Sequence, residues 1–85
     1  MREVCQISCQ LSFYPLGERD YLPYIDRVIG LIGQSGVAAE VGVMSTVLRG
    51  DTESVFALLR RIAETLHGEG CHFAMSILTS DTCGC

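Results

Sequence analysis

The spacing of apolar residues changes several times along this 85-residue chain, and those changes restrict the folds available to it. Between Val4 and Tyr14 apolar and polar residues alternate, as in a strand with one buried face. From about Tyr21 to Ser35, and again after Asp51, apolar residues recur with the period of an α-helix. Alternation returns in residues 71–79. The pattern predicts strands at both ends of the chain and two helices between them.

Two shorter segments complete the predicted element order. Residues 37–43 and 45–49 have strand character, and Gly42 near their junction favours a tight hairpin. The order is therefore β-α-β-β-α-β. It predicts an α+β, ferredoxin-like sandwich, in which two helices cover one face of a four-stranded antiparallel sheet. The other face is left open, and we expect such a face to pack against another subunit.

Both predicted helices have recognisable ends. Asp20 is a candidate N-cap for the first helix and Gly36 a candidate stop, while Asp51 or Thr52 can cap the second. Gly30 and Gly33 lie inside the first helix, where we expect them to allow close packing against a strand. The residues predicted to face the sheet are Tyr21, Ile25, Val28, Ile29 and Ile32 in the first helix and Val55, Leu58, Leu59, Ile62 and Leu66 in the second.

Length and composition favour one domain with an oligomeric partner. The chain predicts a single ferredoxin-like domain over residues 1–80 and a cysteine-containing tail over residues 81–85. Its apolar fraction of 48% is high for a small domain with only 19% charged residues. We therefore expect some apolar surface to be shared between subunits, in a homodimer or homotetramer formed through sheet packing.

Charge and hydropathy argue against two classes of partner. A net charge of −4 disfavours binding to a nucleic-acid backbone, which requires a basic surface. No apolar run approaches the roughly 20 residues that span a bilayer, so membrane insertion is not expected. Polar residues near the amino terminus also interrupt any signal-peptide pattern, which makes the cytoplasm the expected location.

Five cysteines raise the question of a metal site or a disulfide. In the expected reducing location they are predicted to be free thiols. Cys83 and Cys85 form a C-x-C tail, and antiparallel pairing of the last strand with the first would bring it towards Cys5. A soft metal ion or an oxidative disulfide could be held there. The alternative, a disordered tail, is favoured, so no metal ligand is assigned.

The sequence contains no recognisable catalytic constellation. His67 is placed at a helix end and His72 in a strand, without a nucleophile motif beside either. The acidic residues are scattered over loops and helix surfaces. We therefore expect no enzymatic activity and no cofactor.

Several segments resemble one repeat of the YkoF-like family, which binds thiamine and its hydroxymethylpyrimidine precursor. They are Cys9 to Gly17, Asp20-Tyr21, Ser45 to Gly50 and Val55-Phe56, within a similarity that extends from about Ile7 to Leu78. The resemblance implies a ferredoxin-like fold and a role in thiamine salvage or transport without catalysis. Family members with two repeats differ from this single-repeat chain, so a second subunit would have to replace the missing repeat.

A ligand of that kind needs particular side chains. An aminopyrimidine ring presents a donor amine beside acceptor nitrogens, and its site needs matching polar groups and an apolar or aromatic surface. A thiazolium cation would favour a carboxylate. Hairpin capping, surface charge and gap filling are the structural alternatives for the same residues. The candidate ligand-binding residues are Gln10, Ser12, Tyr14, Glu40, Met44, Ser45 and Thr46.

The functional expectation is therefore non-enzymatic binding of thiamine or hydroxymethylpyrimidine. The competing interpretation is a structural or regulatory oligomerisation module without a small ligand.

Overall fold

The computed structural model describes residues 6–17, 20, 22–42 and 45–82, and it contains the predicted elements in the predicted order. The strands are β1 (Ile7–Leu16), β2 (Ala38–Val41), β3 (Thr46–Gly50) and β4 (His72–Ser80), and the helices are α1 (Leu22–Ser35) and α2 (Thr52–Gly68). The strands form one antiparallel sheet in the order β2-β3-β1-β4. The prediction of a ferredoxin-like α+β fold is confirmed.

β1 lies at the centre of the sheet but has two neighbours over only part of its length. Its pairing with β3 ends at Leu11 and Thr46, whereas its pairing with β4 continues to Leu16 and His72. The alternation in the sequence extends to Tyr14, and β1 ends within two residues of it, at Leu16, with Pro15 paired to Phe73. A proline is tolerated in this part of β1 because, among the described residues, β4 alone pairs with it there, as at a sheet edge.

The predicted helix stripes largely form the core. All five apolar residues predicted to face inward from α2 are buried, as are Val28 and Ile32 of α1. Leu31 is buried as well, whereas Ile29 is 42% exposed and was wrongly placed in the core. The buried face of α1 therefore consists of residues 28, 31 and 32, and Ile29 lies beside that face rather than on it. Tyr21 lies outside the described residues.

Capping hydrogen bonds explain how α2 begins. Asp51 is the N-cap, and its Oδ2 atom accepts a hydrogen bond of 2.9 Å from the backbone N–H of Ser54. The side-chain oxygen of Gln6 accepts further bonds from the N–H and hydroxyl of Thr52. These contacts satisfy donors that a helix leaves without partners in its first turn. The cap predicted at this junction is confirmed.

The glycines of α1 do not have the role predicted for them. Nothing lies within 4 Å of the position where a Cβ atom would stand at Gly30 or Gly33, so the expected close packing is wrong. Gly36, by contrast, has a φ of 79° directly after the helix, as predicted for a stop residue.

The β2-β3 hairpin is as tight as the sequence predicted. Val41 pairs with Thr46, and the N–H of Gly42 donates a 2.8 Å hydrogen bond to the carbonyl oxygen of Ser45. Only residues 43–44 separate the bonded pair, and they lie outside the described residues. The hairpin therefore brings Gly42 and Ser45 together at the end of the sheet where β1 loses its β3 partner.

Across the part of the chain with described structure, neither helix has the length and apolar character needed to cross a membrane.

Candidate functional site

A cavity of about 140 Å³ lies between α1 and the end of the β1-β3 pairing, and we call it the hairpin groove. One wall is the inner face of α1, the second is the middle of β1, and the third is the β2-β3 hairpin. Its lining residues are Leu11, Ser12, Phe13, Ile25, Val28, Ile29, Ile32, Val41, Gly42, Ser45 and Thr46.

The groove is apolar on the helix side and hydroxyl-bearing on the strand side. Its helical wall consists of the aliphatic residues Ile25, Val28, Ile29 and Ile32, and its strand walls include the hydroxyl-bearing residues Ser12, Ser45 and Thr46. Among the described residues, none that lines it carries a charged side chain. At the rim, Ile29 is 42% exposed and Val41 54% exposed. The groove therefore combines an apolar surface for a ring with residues whose hydroxyls can both donate and accept hydrogen bonds.

Strand register places these three residues at the end of the β1-β3 pairing. Thr46 is paired with Leu11 in the last β1-β3 pair, and Ser12 follows Leu11 at the point where that pairing stops. The backbone carbonyl oxygen of Ser45 accepts the hairpin hydrogen bond from Gly42, and the Ser45 hydroxyl takes part in a separate side-chain contact. The Nε2 atom of Gln10 lies 3.4 Å from the Ser45 hydroxyl and donates to it. Gln10 thus connects the groove to the open face of the sheet.

The structure brings only some of the predicted ligand-binding residues together. Ser12, Ser45 and Thr46 line the groove, and Gln10 reaches it through Ser45. Tyr14 is 51% exposed and does not line the groove.

Glu40 also lies away from the groove. It is positioned on β2, and one of its carboxylate oxygens is 3.8 Å from the Arg49 guanidinium. Its side chain is 74% exposed, so the pair is a surface contact. The predicted residue Met44 lies outside the described residues.

Sequence reasoning missed the helical wall of the groove. Ile25, Val28 and Ile32 were recognised as inward-facing residues, but their helical period alone is typical of a core stripe. Gly42 and Val41 were read only as hairpin residues. The wall and the hairpin form one cavity because α1 crosses the sheet end, and that placement depends on tertiary packing.

The cysteines with described structure are not part of the groove. Cys9 is a free, buried thiol, and Cys71 is buried as well. Burial raises the pKa of the Cys9 thiol, which favours its protonated, unreactive form. Among the described residues, no three His, Cys, Asp or Glu side chains form a group that could hold a metal ion. Cys5, Cys83 and Cys85 lie outside that part of the chain, so the hypothesis about the tail stays a prediction.

Fold and groove together define a ferredoxin-like α+β protein with a small apolar, hydroxyl-edged cavity at one end of its sheet. Residues 6–85 match the sequence model of the YkoF-related family. The chain therefore belongs to that family, which confirms the resemblance in its strand and hairpin segments.

Solved structures show the same architecture. A Thermotoga maritima protein provisionally assigned to thiamine biosynthesis or salvage is 24% identical, with 92% of this chain and 85% of that chain covered and a TM-score of 0.79. A domain of unknown function from Bacillus cereus is 24% identical, with coverages of 100% and 86% and a TM-score of 0.79.

A hypothetical protein from Methanocaldococcus jannascii is 19% identical, with coverages of 93% and 82% and the same TM-score of 0.79. At these identities the similarity establishes the fold. No curated protein sequence matches the chain.

Proposed function

We propose that the hairpin groove binds the aminopyrimidine ring of hydroxymethylpyrimidine or thiamine, without catalysing a reaction, in thiamine salvage or transport. The observation that carries this proposal is that an aliphatic helical wall and three hydroxyl-bearing residues line the same ring-sized cavity. Membership of the YkoF-related family supports the same ligand class, as does the structural similarity to the Thermotoga maritima protein. We place this activity in the cytoplasm.

The size of the groove favours a single ring. An apolar cavity of roughly 150 Å³ is known to accept a benzene-sized molecule, and the groove measures about 140 Å³. A six-membered pyrimidine ring therefore matches the groove in size. The second ring of thiamine would extend past the rim at Ile29 and Val41, where it meets exposed aliphatic surface.

The charge of the groove favours the neutral part of the ligand. Transfer of a cation into an apolar site without a nearby anion is costly, and no carboxylate from the described part of the chain lines this cavity. Glu40, the candidate partner for the thiazolium, is engaged with Arg49 away from the groove. We therefore expect hydroxymethylpyrimidine to bind at least as tightly as thiamine.

The hydroxyls provide the polar recognition. Each can accept from the exocyclic amine or donate to a ring nitrogen, because a hydroxyl rotates to suit its partner. Ser45 is further oriented by the contact from Gln10. A site with polar groups along one side and aliphatic groups along the other holds a planar heterocycle in one orientation.

Calorimetric titration with hydroxymethylpyrimidine, thiamine and thiamine phosphate tests the proposal. We expect binding of the pyrimidine, and we expect Ser45→Ala and Thr46→Val each to weaken it about 3–10-fold, since each removes one hydrogen bond. Mass spectrometry of the recovered ligand should show that it is unchanged.

Two further variants serve as controls. Thr65→Val makes the same replacement at a half-buried position on α2, outside the groove, and should leave affinity unchanged. Tyr14→Ala alters the open sheet face and should also have little effect. A large loss with Tyr14→Ala would move the ligand to the open face. No heat signal for any of the three compounds at about 1 mM would favour the oligomerisation module instead.

A further inference from the structure

The main chain of β1 changes its surroundings at Ser12, where the pairing with β3 has ended and the pairing with β4 continues. We propose that the backbone N–H and carbonyl groups of Phe13, in this part of the strand, bind the exocyclic amine of an aminopyrimidine and the ring nitrogen beside it. Because these groups would recognise the same ligand in the hairpin groove, the proposal rests on the proposed function.

The hairpin sets the direction in which the backbone groups of β3 point. The N–H of Gly42 donates to the carbonyl oxygen of Ser45, so these two residues form a hydrogen-bonded pair across the β2-β3 ladder. Bonded and non-bonded pairs alternate along an antiparallel ladder, and the backbone groups of Thr46 therefore point towards β1. The carbonyl oxygen of Gly50, four residues further along, also points to β1, where it accepts a 2.9 Å bond from the N–H of Gln6.

The same alternation continues along β1. Leu11 faces Thr46 in the last β1-β3 pair, so its N–H and carbonyl groups point to β3. Those of Ser12 then point to β4, and those of Phe13 point back to the side on which β3 has ended. Among the described residues, no strand pairs with Phe13 on that side, and no backbone hydrogen bond outside the helices and strands involves it.

Pro15 limits this edge to a single donor. It is the next residue of β1 whose backbone points to the same side, and proline has no N–H. Its ring therefore removes no hydrogen bond from the pairing with β4. Beyond the β1-β3 pairing, Phe13 is thus the residue of β1 that presents both a donor and an acceptor on this side.

The hairpin groove reaches this edge of β1. Both Ser12 and Phe13 line it. Side chains of successive strand residues point to opposite faces of a sheet, so lining by two neighbours places main-chain atoms in the cavity wall. Phe13 is half-buried, which partly shields its backbone groups from water and strengthens the hydrogen bonds they form.

The two backbone groups match one edge of an aminopyrimidine. A strand residue whose N–H and carbonyl groups point to one side exchanges two hydrogen bonds with the residue opposite in a β-ladder. The pyrimidine amine can supply the donor of that absent residue, and the adjacent ring nitrogen can supply its acceptor. Ile25 and Ile29 of α1, which line the same groove, then offer apolar contacts to the ring.

Fixed polarity distinguishes the Phe13 backbone from the hydroxyls of the groove. A hydroxyl rotates to donate or accept, whereas an N–H only donates and a carbonyl only accepts. An analogue with an oxo group in place of the amine presents an acceptor where the amine donated and a ring N–H where the nitrogen accepted. Rotating hydroxyls can adjust to this reversal. The Phe13 backbone cannot, because donor would face donor and acceptor would face acceptor.

Calorimetric titration with hydroxymethylpyrimidine and its 4-oxo analogue tests the proposal. We expect the analogue to bind at least about 30-fold more weakly, since two hydrogen bonds are lost. A smaller difference between the two compounds would overturn the role of Phe13 and leave the proposed function standing. If neither compound binds at about 1 mM, both the role of Phe13 and the proposed function are wrong.

Two substitutions at position 13 locate the contact on the backbone. Phe13→Ala and Phe13→Pro both remove the phenyl ring, whose centroid lies 5.4 Å from that of Phe73, but only proline removes the N–H. Because that N–H points away from β4, proline should be accommodated as it is at Pro15, and circular dichroism checks this. We expect Phe13→Pro to bind the pyrimidine at least about fivefold more weakly than Phe13→Ala. A smaller difference between the folded variants would contradict the assignment.

Nuclear magnetic resonance of the wild-type chain gives a readout that does not depend on the proline variant. Saturation with hydroxymethylpyrimidine should move the amide proton of Phe13 downfield, as a new hydrogen bond does. The amide proton of Tyr14, whose backbone points to β4, should shift less. An unchanged Phe13 resonance in a sample that binds the pyrimidine would overturn the proposal.

Discussion

The carboxyl group of Asp51 caps the N-terminus of α2. Hydrogen bonds from the hydroxyl and the backbone N–H of Ser54 lower the pKa of its carboxyl group below the ordinary value. Because the folded pKa is depressed, the ionised carboxylate stabilises the fold at pH values above the unfolded pKa of about 4. That contribution is lost as the pH falls through the folded pKa.

Asp51→Asn isolates this effect, because asparagine keeps the cap but does not titrate. We expect wild type to be more stable than the variant at pH 7 and pH 5, by the same amount at both, and the difference to shrink below about pH 4. Urea denaturation at pH 7, 5 and 3 measures this difference in the free energy of unfolding. A difference that stays constant down to pH 3 would contradict the role assigned to the carboxylate.

The β2-β3 hairpin places Gly42 and Ser45 in the wall of the groove. The Cβ atom of an alanine at position 42 would lie 2.9 Å from the carbonyl oxygen of Ser45, an oxygen that already accepts the N–H of Gly42. The backbone of the hairpin would therefore have to shift to accommodate the added methyl group. Gly42→Ala should lower the free energy of unfolding by about 1–3 kcal/mol and weaken pyrimidine binding by displacing Ser45.

Gly33→Ala is the matched control for that substitution. Position 33 is inside α1 with open space around the added methyl group, so alanine should raise stability by up to about 1 kcal/mol. Urea denaturation and ligand titration of both variants give the comparison. Similar losses of stability from the two changes would show that the contact at Gly42 is not the cause.

Local sequence patterns are sufficient to predict some of the helices, strands and caps of this fold. The caps, the α2 stripe and the hairpin depend on neighbours along the chain, and residues such as Asp51, Leu58 and Gly42 could be assigned from local pattern alone. The exposure of Ile29 could not, since it depends on the angle at which α1 crosses the sheet. Hydroxyls at the strand ends were predictable as candidates, but the aliphatic wall opposite them was not.

One hydrophobic core connects both helices with β1, β3 and β4. Leu48 is fully buried on β3 beneath the helices, in the same cluster as Cys9 of β1, Val28 of α1 and Ile62 of α2. A cluster that draws on both helices and the sheet links the groove walls to the stability of the entire domain. Small domains of this kind generally unfold in one cooperative step.

Leu48→Ala should therefore destabilise all parts of the protein together. The lost contacts and the cavity left behind should lower the free energy of unfolding by about 2–5 kcal/mol, a large share of the roughly 5–15 kcal/mol available to a domain. Leu22→Ala, at a residue that is 61% exposed, should cost much less. Urea denaturation followed by circular dichroism and by thiol labelling of buried Cys9 should give one coincident transition for each variant. If Cys9 became reactive well before helix was lost, the core would consist of separable parts, and the groove could then open without global unfolding.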